Sequence, residues 1–236
     1  MTRASGWDAL LDDLFGLNVR ALATLWVSFT QPSKLFTAAR DADWLGKYTP
    51  SIRLVFTLIA VVVFLKFIWT NDASGLFAYT RQTFETMDMA LPGDDLDSVT
   101  REYLAMLLVT YPFTYFGVHA LFALFLKIWG KGTPLPVRIR LYFVAVIPVL
   151  LVGVLTTALF GAMTVGQIEL ATGAGLVSML LVYFIVLQSG LKPVYPKFGQ
   201  RAWRSGLGGL LMLTADMGVS LVSSLWAITW LFAIAA

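Results

Sequence analysis

The sequence has no cysteine and only one histidine in 236 residues. The lack of cysteine excludes disulfides, thiolate metal sites and cysteine nucleophiles. A single histidine leaves too little to build a metal cluster or a nucleophile–base–acid set. A glycine-rich phosphate loop of the Walker type is also missing. We therefore expect no cofactor, no bound metal and no enzymatic activity.

Charge is scarce as well, and this scarcity sets the class of the protein. Only 13% of the residues are charged and 58% are hydrophobic, whereas soluble domains carry about 25% charged residues. The composition indicates an integral membrane protein, and the length suits one helical bundle. Residues 1–20 contain three aspartates and no continuous apolar run, so no cleavable signal peptide is expected.

Long apolar runs predict five membrane-spanning helices, because about 18 consecutive apolar residues are enough to cross a bilayer. The predicted spans are 51–69, 103–128, 141–165, 170–191 and 206–234, with an amphipathic cytoplasmic segment at 1–50 and an outer loop at 70–102. A tight turn is expected around Gly166, Gln167 and Glu169. Pro112 and Pro148 fall inside the second and third spans, where each frees a backbone carbonyl.

Basic residues predict the orientation of these spans. Most of the 17 lysines and arginines lie before the first span or in the second-to-third and fourth-to-fifth connections. Loops rich in lysine and arginine stay on the cytoplasmic side, while acidic residues concentrate at 70–102. We therefore expect a bacterial inner-membrane protein with a cytoplasmic N-terminus and a periplasmic C-terminus.

Residues 7–29 have apolar side chains at helical spacing, which is typical of a helix in the membrane interface. The apolar positions are Trp7, Leu10, Leu11, Leu14, Leu22, Leu25, Trp26 and Phe29. This helix either packs on the ends of the spans or offers a surface to lipid or a partner. Pro32 is expected to end it, and Ser33 to cap a short helix that holds Leu35, Phe36 and Trp44.

The outer loop also contains an amphipathic segment. Its apolar residues are Leu76, Phe77, Phe84, Met87 and Leu91. Pro92 and Gly93 should end this helix, and Asp97 or Ser98 should cap the second span. The helix is expected to rest on the membrane surface, with a lid over a cavity as the alternative.

The fold class predicted is all-α, a bundle of about five transmembrane helices with interfacial helices at the N-terminus and in the first outer loop.

Three ionisable side chains fall inside the spans, namely Lys66, His119 and Asp216. Asp216 lies roughly 15 Å into the last span, near the membrane midplane. A carboxylate at this depth needs a partner, a water-filled cavity or a proton. His119 is the nearer candidate and Lys66 the less accessible one. The site is either a proton or ion relay, or a hydrogen bond that fixes helix register.

The basic connection before the last span indicates contact with lipid. Its cations and aromatic residues, Lys192, Lys197, Arg201, Arg204 and Trp203, are typical of headgroup anchors. We expect anionic lipids at the cytoplasmic face and no nucleic acid. Small residues spaced by four (Gly153, Thr157, Gly161) allow close helix packing within the bundle or self-association.

One stretch resembles a known family. In VRALATLWVSFTQPSKLFTAARDADWLGKYTPSIRLVF the positions that carry the resemblance are Thr24, Leu25, Pro32, Tyr48 and Pro50. Tyr115 and His119, in YFGVHALFALFL, extend it. The pattern is similar to an uncharacterised bacterial family of multi-pass proteins, itself related in layout to Yip-type five-span proteins. Many members carry a zinc ribbon, which this cysteine-free chain lacks. The resemblance implies the five-span layout and brings no activity.

Two functions from different classes follow from these features. The first is a non-enzymatic accessory, scaffold or assembly subunit that works through helix and lipid contacts. Its partner would be another membrane protein or a second copy of the chain. The alternative is a small proton- or ion-coupled transporter or channel that uses Asp216 and His119. An enzyme acting on lipid ranks third, because it needs polar groups that converge at one leaflet.

Overall fold

The computed structural model describes residues 19–41, 44–87 and 95–235. Every regular element in these ranges is a helix, which confirms the predicted all-α class. The short helices are α1 (Val19–Thr30), α2 (Pro32–Ala38), α3 (Trp44–Lys47) and α5 (Gly75–Met87). The long helices are α4 (Ser51–Ile68), α6 (Leu96–Phe125), α7 (Leu135–Phe160), α8 (Val165–Gly190) and α9 (Phe198–Ala235).

The five long helices are long and apolar enough to cross a membrane. Many of their large apolar side chains are exposed, among them Phe64, Phe125 and Leu181. Exposing such an apolar surface to water is unfavourable, whereas contact with lipid tails is not. The chain is therefore a multi-pass membrane protein, as the sequence predicts.

Four of the long helices, α6 to α9, begin earlier than hydropathy predicts. α6 begins at Leu96 instead of position 103, because the Asp95 carboxylate accepts hydrogen bonds from the backbone N–H groups of Asp97 (3.1 Å) and Ser98 (3.2 Å). The predicted caps Asp97 and Ser98 are thus wrong, since Asp95 caps the helix. α9 begins at Phe198, so part of the predicted basic loop is helical.

α9 is also longer than a membrane requires. Its 38 residues extend over about 57 Å, against about 30 Å of hydrocarbon. Its polar first turns can therefore lie outside the apolar layer.

The turn between α7 and α8 also differs from the prediction. Gly166, Gln167 and Glu169 all lie in the first turns of α8, and the chain turns at 161–164. The Gln167 side-chain oxygen accepts hydrogen bonds from the backbone N–H (2.9 Å) and hydroxyl (3.2 Å) of Thr164. These bonds start the helix earlier than expected. α6 and α7 continue through their internal prolines, Pro112 and Pro148.

α1 ends at Thr30, just before Pro32 as predicted, but the predicted cap of the next helix is wrong. Pro32 is the first residue of α2, and Ser33 lies inside that helix without capping it. Proline suits this position because the first turn needs no intrahelical N–H. Trp44 belongs to α3. The predictions for Trp7, Leu10, Leu11, Leu14, Leu91, Pro92 and Gly93 fall outside the described residues.

α1 buries its small side chains and exposes its large ones. Ala21, Thr24 and Ser28 are buried, whereas Trp26 is 71% exposed and Leu22 is 55% exposed. The Thr24 hydroxyl accepts a hydrogen bond from the backbone N–H of Thr49 at 3.1 Å. The apolar face that the sequence identifies is thus available for contact.

The chain divides into two compact units. The first unit comprises the described parts of 1–57, 123–149 and 181–209. It has a closely packed core around Phe36, Trp129 and Tyr142. Helices approach closely at Gly190, where an added Cβ would come within 2.6 Å of the Phe36 ring.

The second unit comprises the described parts of 58–122, 150–180 and 210–236. Its buried residues include Tyr115, His119, Ile168 and Met212. This unit holds all three ionisable residues that the sequence places inside the spans, so the candidate site lies within it.

Candidate intramembrane polar site

An acid–base pair joins α6 to α9 in the second unit. Asp216 Oδ1 lies 3.2 Å from His119 Nε2. The His119 side chain is fully buried and that of Asp216 is 12% exposed. The pair is ionic when the imidazole is protonated. Of the two partners that the sequence offers to Asp216, the structure brings His119 to it.

A ladder of aromatic rings extends from this pair along α6. The Tyr115 ring stacks on the His119 imidazole, with centroids 4.1 Å apart. The next ring, Tyr111, lies 5.8 Å from Tyr115. The three residues are spaced by four, which places them on one face of the helix.

Lys66 lies at the other end of the ladder. Its ammonium nitrogen is 4.2 Å from the centroid of the Tyr111 ring, which is within cation–π range. The three predicted ionisable residues therefore form one pair, His119 with Asp216, and one separate cation that contacts an aromatic ring.

Hydroxyl groups also connect α6 and α9. The hydroxyls of Thr114 and Ser223 share a buried hydrogen bond of 2.5 Å. The Tyr103 hydroxyl donates to Ser224 Oγ at 3.0 Å. Such bonds are common between membrane helices, and here they continue the polar face of the aromatic ladder.

A cavity of about 380 Å³ lies beside these groups. Its polar lining consists of hydroxyl-bearing residues and Lys66, namely Lys66, Thr70, Tyr79, Thr80, Thr83, Tyr103, Tyr111, Ser220, Ser223 and Ser224. Ser220 is one helical turn from Asp216, about 6 Å along the axis. The cavity therefore reaches close to the acid–base pair.

Helix α5 forms one wall of this cavity through Leu76, Phe84 and Met87 among others. The Phe84 ring packs edge-on against Tyr103, with centroids 5.0 Å apart. The sequence predicts a helix here and leaves its role open between resting on the membrane and covering a cavity. Its contacts show that it encloses part of the cavity.

Two sets of ion pairs fasten α5 and its preceding turn to α6. Arg81 contacts Asp97 and Glu85, each at 2.6 Å. Arg101 binds both carboxylate oxygens of Asp72, at 2.9 and 3.0 Å. The Arg101 hydrogen bonds hold the pKa of the Asp72 carboxyl below its usual value. Hydrogen bonding to Asp97 raises the pKa of Arg81.

The predicted headgroup anchors belong to the first unit and fall into two groups. Lys192, Lys197 and Trp203 are exposed, Trp203 at 69%. Arg201 instead donates to the Tyr195 carbonyl at 3.2 Å. Arg204 lies 4.2 Å above the Tyr195 ring. The two arginines order the start of α9, and the other three residues are free to meet lipid.

Sequence reasoning missed several residues that line or border the site. The Tyr111–Tyr115–His119 spacing is a readable signal for a polar face on α6. The serines at 220, 223 and 224 are equally visible as a polar stripe on α9. For α5 the sequence offers a lid over a cavity as the alternative to a helix resting on the membrane, and it carries no signal that decides between the two. Among the described residues, no group of three His, Asp or Glu side chains could hold a metal ion.

Comparison of the chain with family models, curated proteins and solved structures gives no match. Functional interpretation therefore rests on the geometry of the site.

Proposed function

We propose that this protein is a small proton-coupled transporter of the bacterial inner membrane. Its N-terminus is cytoplasmic by the positive-inside rule, which places the α5 side of the chain toward the periplasm. The observation that carries the proposal is an Asp216–His119 acid–base pair, with His119 fully buried, within one helical turn of a cavity that has hydroxyl groups in its lining. Ionisable groups inside membrane helices commonly mark ion and proton pathways.

Protonation would change the attraction between the two residues. With Asp216 ionised and His119 protonated, the pair is ionic and draws α6 to α9. A proton added to Asp216, or removed from His119, weakens this attraction. Both helices line the cavity, so the protonation state is coupled to the cavity walls.

The position of Ser220 favours transport over a purely structural pair. A bond that only fixes helix register needs no solvent access. Here Ser220 lines the cavity, and its hydroxyl lies 3.4 Å from the backbone carbonyl of Asp216. A cavity of this size with hydroxyl groups on its wall has room for water, which can carry protons toward the pair.

The proposal is tested by charge movement in proteoliposomes on a solid-supported membrane. A jump in external pH should give a transient current as protons bind at Asp216. Asp216→Asn should reduce this current to the level of protein-free liposomes. Glu169→Gln, which removes an exposed carboxylate on α8, is the matched control and should keep the current. An unchanged current in Asp216→Asn would overturn the proposal.

An accessory role is the second candidate, and α1 is the feature that favours it. Trp26, Leu22 and Phe29 expose a contiguous apolar face, which suits a protein or lipid contact. If α1 binds a partner, that partner should co-purify at fixed stoichiometry from the native membrane and be lost in Trp26→Ser. Asp216→Asn should leave the complex intact. A protein that purifies alone would remove this candidate.

The resemblance to the Yip-like family stays a prediction. A lipid-acting enzyme is not proposed. Polar groups converge on the cavity, but Lys66 lies against the face of the Tyr111 ring, so the described lining contains no nucleophile–base pair that includes it.

A further inference from the structure

The lining of the cavity has one sign of charge. Lys66 is the one charged side chain among the described lining residues. The other polar groups are neutral hydroxyls, which donate and accept hydrogen bonds equally well. A ligand that carries a cation would meet repulsion here, whereas an anion would meet attraction.

The Lys66 ammonium has unused hydrogen-bonding capacity. It has three N–H donors, and within the described part of the chain it lies against the face of the Tyr111 ring. A half-buried cation in a membrane protein is costly without an anionic partner. The aromatic face covers one side of the ammonium and leaves donors for an anion in the cavity.

The rest of the lining is apolar. It consists of Leu76, Phe84, Met87, Leu104, Leu107, Leu108 and Ile228. The volume of about 380 Å³ lies within the range of about 300–1,000 Å³ for small-molecule sites. An apolar body of several carbon atoms therefore fits beside the cation.

We propose that this cavity binds a small amphiphile with a single anionic group, which pairs with Lys66 while the apolar body packs against the leucines. The inference rests on the proposed transport function and names its substrate class. The anionic group can come from a free carboxylate or sulfonate, or from the phosphate of a membrane lipid. Both present the same chemistry to Lys66.

Binding is measured by titrating decane-1-sulfonate into the full chain in nanodiscs of neutral phosphatidylcholine. The expected result is saturable binding that weakens at least tenfold in Lys66→Met. Lys66→Arg should bind as the wild type does, because it keeps the charge. Lys131→Met removes an exposed lysine of the first unit that is not among the predicted headgroup anchors and should leave the affinity unchanged. Decan-1-ol should bind without dependence on Lys66.

The natural source of the anion is found by repeating the titration with phosphatidylglycerol in the nanodisc. Competition identifies lipid phosphate, and absence of competition identifies a free amphiphile. Equal affinity in wild type and Lys66→Met, with both variants folded by thermal unfolding, would overturn the inference. The pH-jump current separates the two proposals. Lys66→Met should keep this current even where it loses amphiphile binding, because proton binding at Asp216 does not require Lys66.

Discussion

The two compact units use their polar groups in different ways. In the first unit, arginines bind backbone carbonyls. Arg140 donates to the carbonyls of Ala39 (3.0 Å) and Asp41 (3.1 Å), and Arg40 donates to that of Trp129 at 2.9 Å. In the second unit, side chains pair with side chains, as His119 does with Asp216.

The arginine–carbonyl bonds of the first unit hold the fold together, whereas the Asp–His pair of the second unit is the contact on which the proposed function depends. A guanidinium stays charged at any physiological pH, even though burial lowers the pKa of Arg40. Its hydrogen bonds are to backbone carbonyls at or beyond helix ends, such as that of Ala39, and they hold the chain in one arrangement. An Asp–His pair can gain or lose a proton, so the second unit contains the contacts that can change.

Substituting an arginine that binds backbone carbonyls should have the largest effect on stability. Arg140→Met removes two charge-assisted hydrogen bonds, one to the part-buried Ala39 carbonyl and one to the exposed Asp41 carbonyl, which should lower the free energy of unfolding by about 2 kcal/mol. Unfolding in mixed micelles measures this change. Lys192→Met should stay within about 0.5 kcal/mol of wild type. If the two variants were equally stable, the architectural role of Arg140 would be refuted.

The hydroxyl pair of the second unit should matter less. Thr114→Val and Ser223→Ala each remove one partner of a buried hydrogen bond. A double-mutant cycle of unfolding free energies should give a coupling of about 1 kcal/mol. Tyr103→Phe combined with Ser223→Ala is the control, because Tyr103 bonds to Ser224. A coupling near zero for Thr114 and Ser223 would mean that water replaces either partner without loss.

The smallest effect should come from the exposed pair of Asp72 and Arg101. The pKa of Asp72 is lowered in the folded protein, so the pair stabilises the fold above the ordinary pKa of the carboxyl. This contribution is lost as the pH falls through the lowered folded-state pKa. The Tm difference between wild type and Asp72→Asn should therefore shrink on acidification. In an Arg101→Met background, the Asp72→Asn substitution should leave the Tm unchanged at every pH. A Tm difference that persists in that background would contradict the assignment of the ion pair.

The sequence predicts the five long helices because hydropathy is a local feature, and it offers His119 as the nearer of two candidate partners for Asp216. Hydropathy identifies apolar runs, and depth along each span brings the two side chains to similar levels. Helix ends are predicted less well, since hydropathy reports where a helix is apolar and not where it stops. α9, for example, continues through polar residues from Phe198.

The cavity could not be predicted, because it depends on long-range contacts. Arg81 meets Asp97, and Arg101 meets Asp72, across a connection whose course hydropathy does not define. These contacts position α5 against Tyr103. The aromatic contact of Lys66 likewise joins two spans whose relative rotation is not encoded in their composition.

The central claim is that Asp216 exchanges a proton in the folded protein. Infrared difference spectroscopy of the protein in lipid, between alkaline and acidic buffer, tests it most directly. A carbonyl-stretch band from a protonated carboxylic acid should appear on acidification in wild type and be missing in Asp216→Asn. If the spectra of the two proteins were the same across the pH range in which both stay folded, the pair would be a fixed structural contact and the transport proposal would be contradicted.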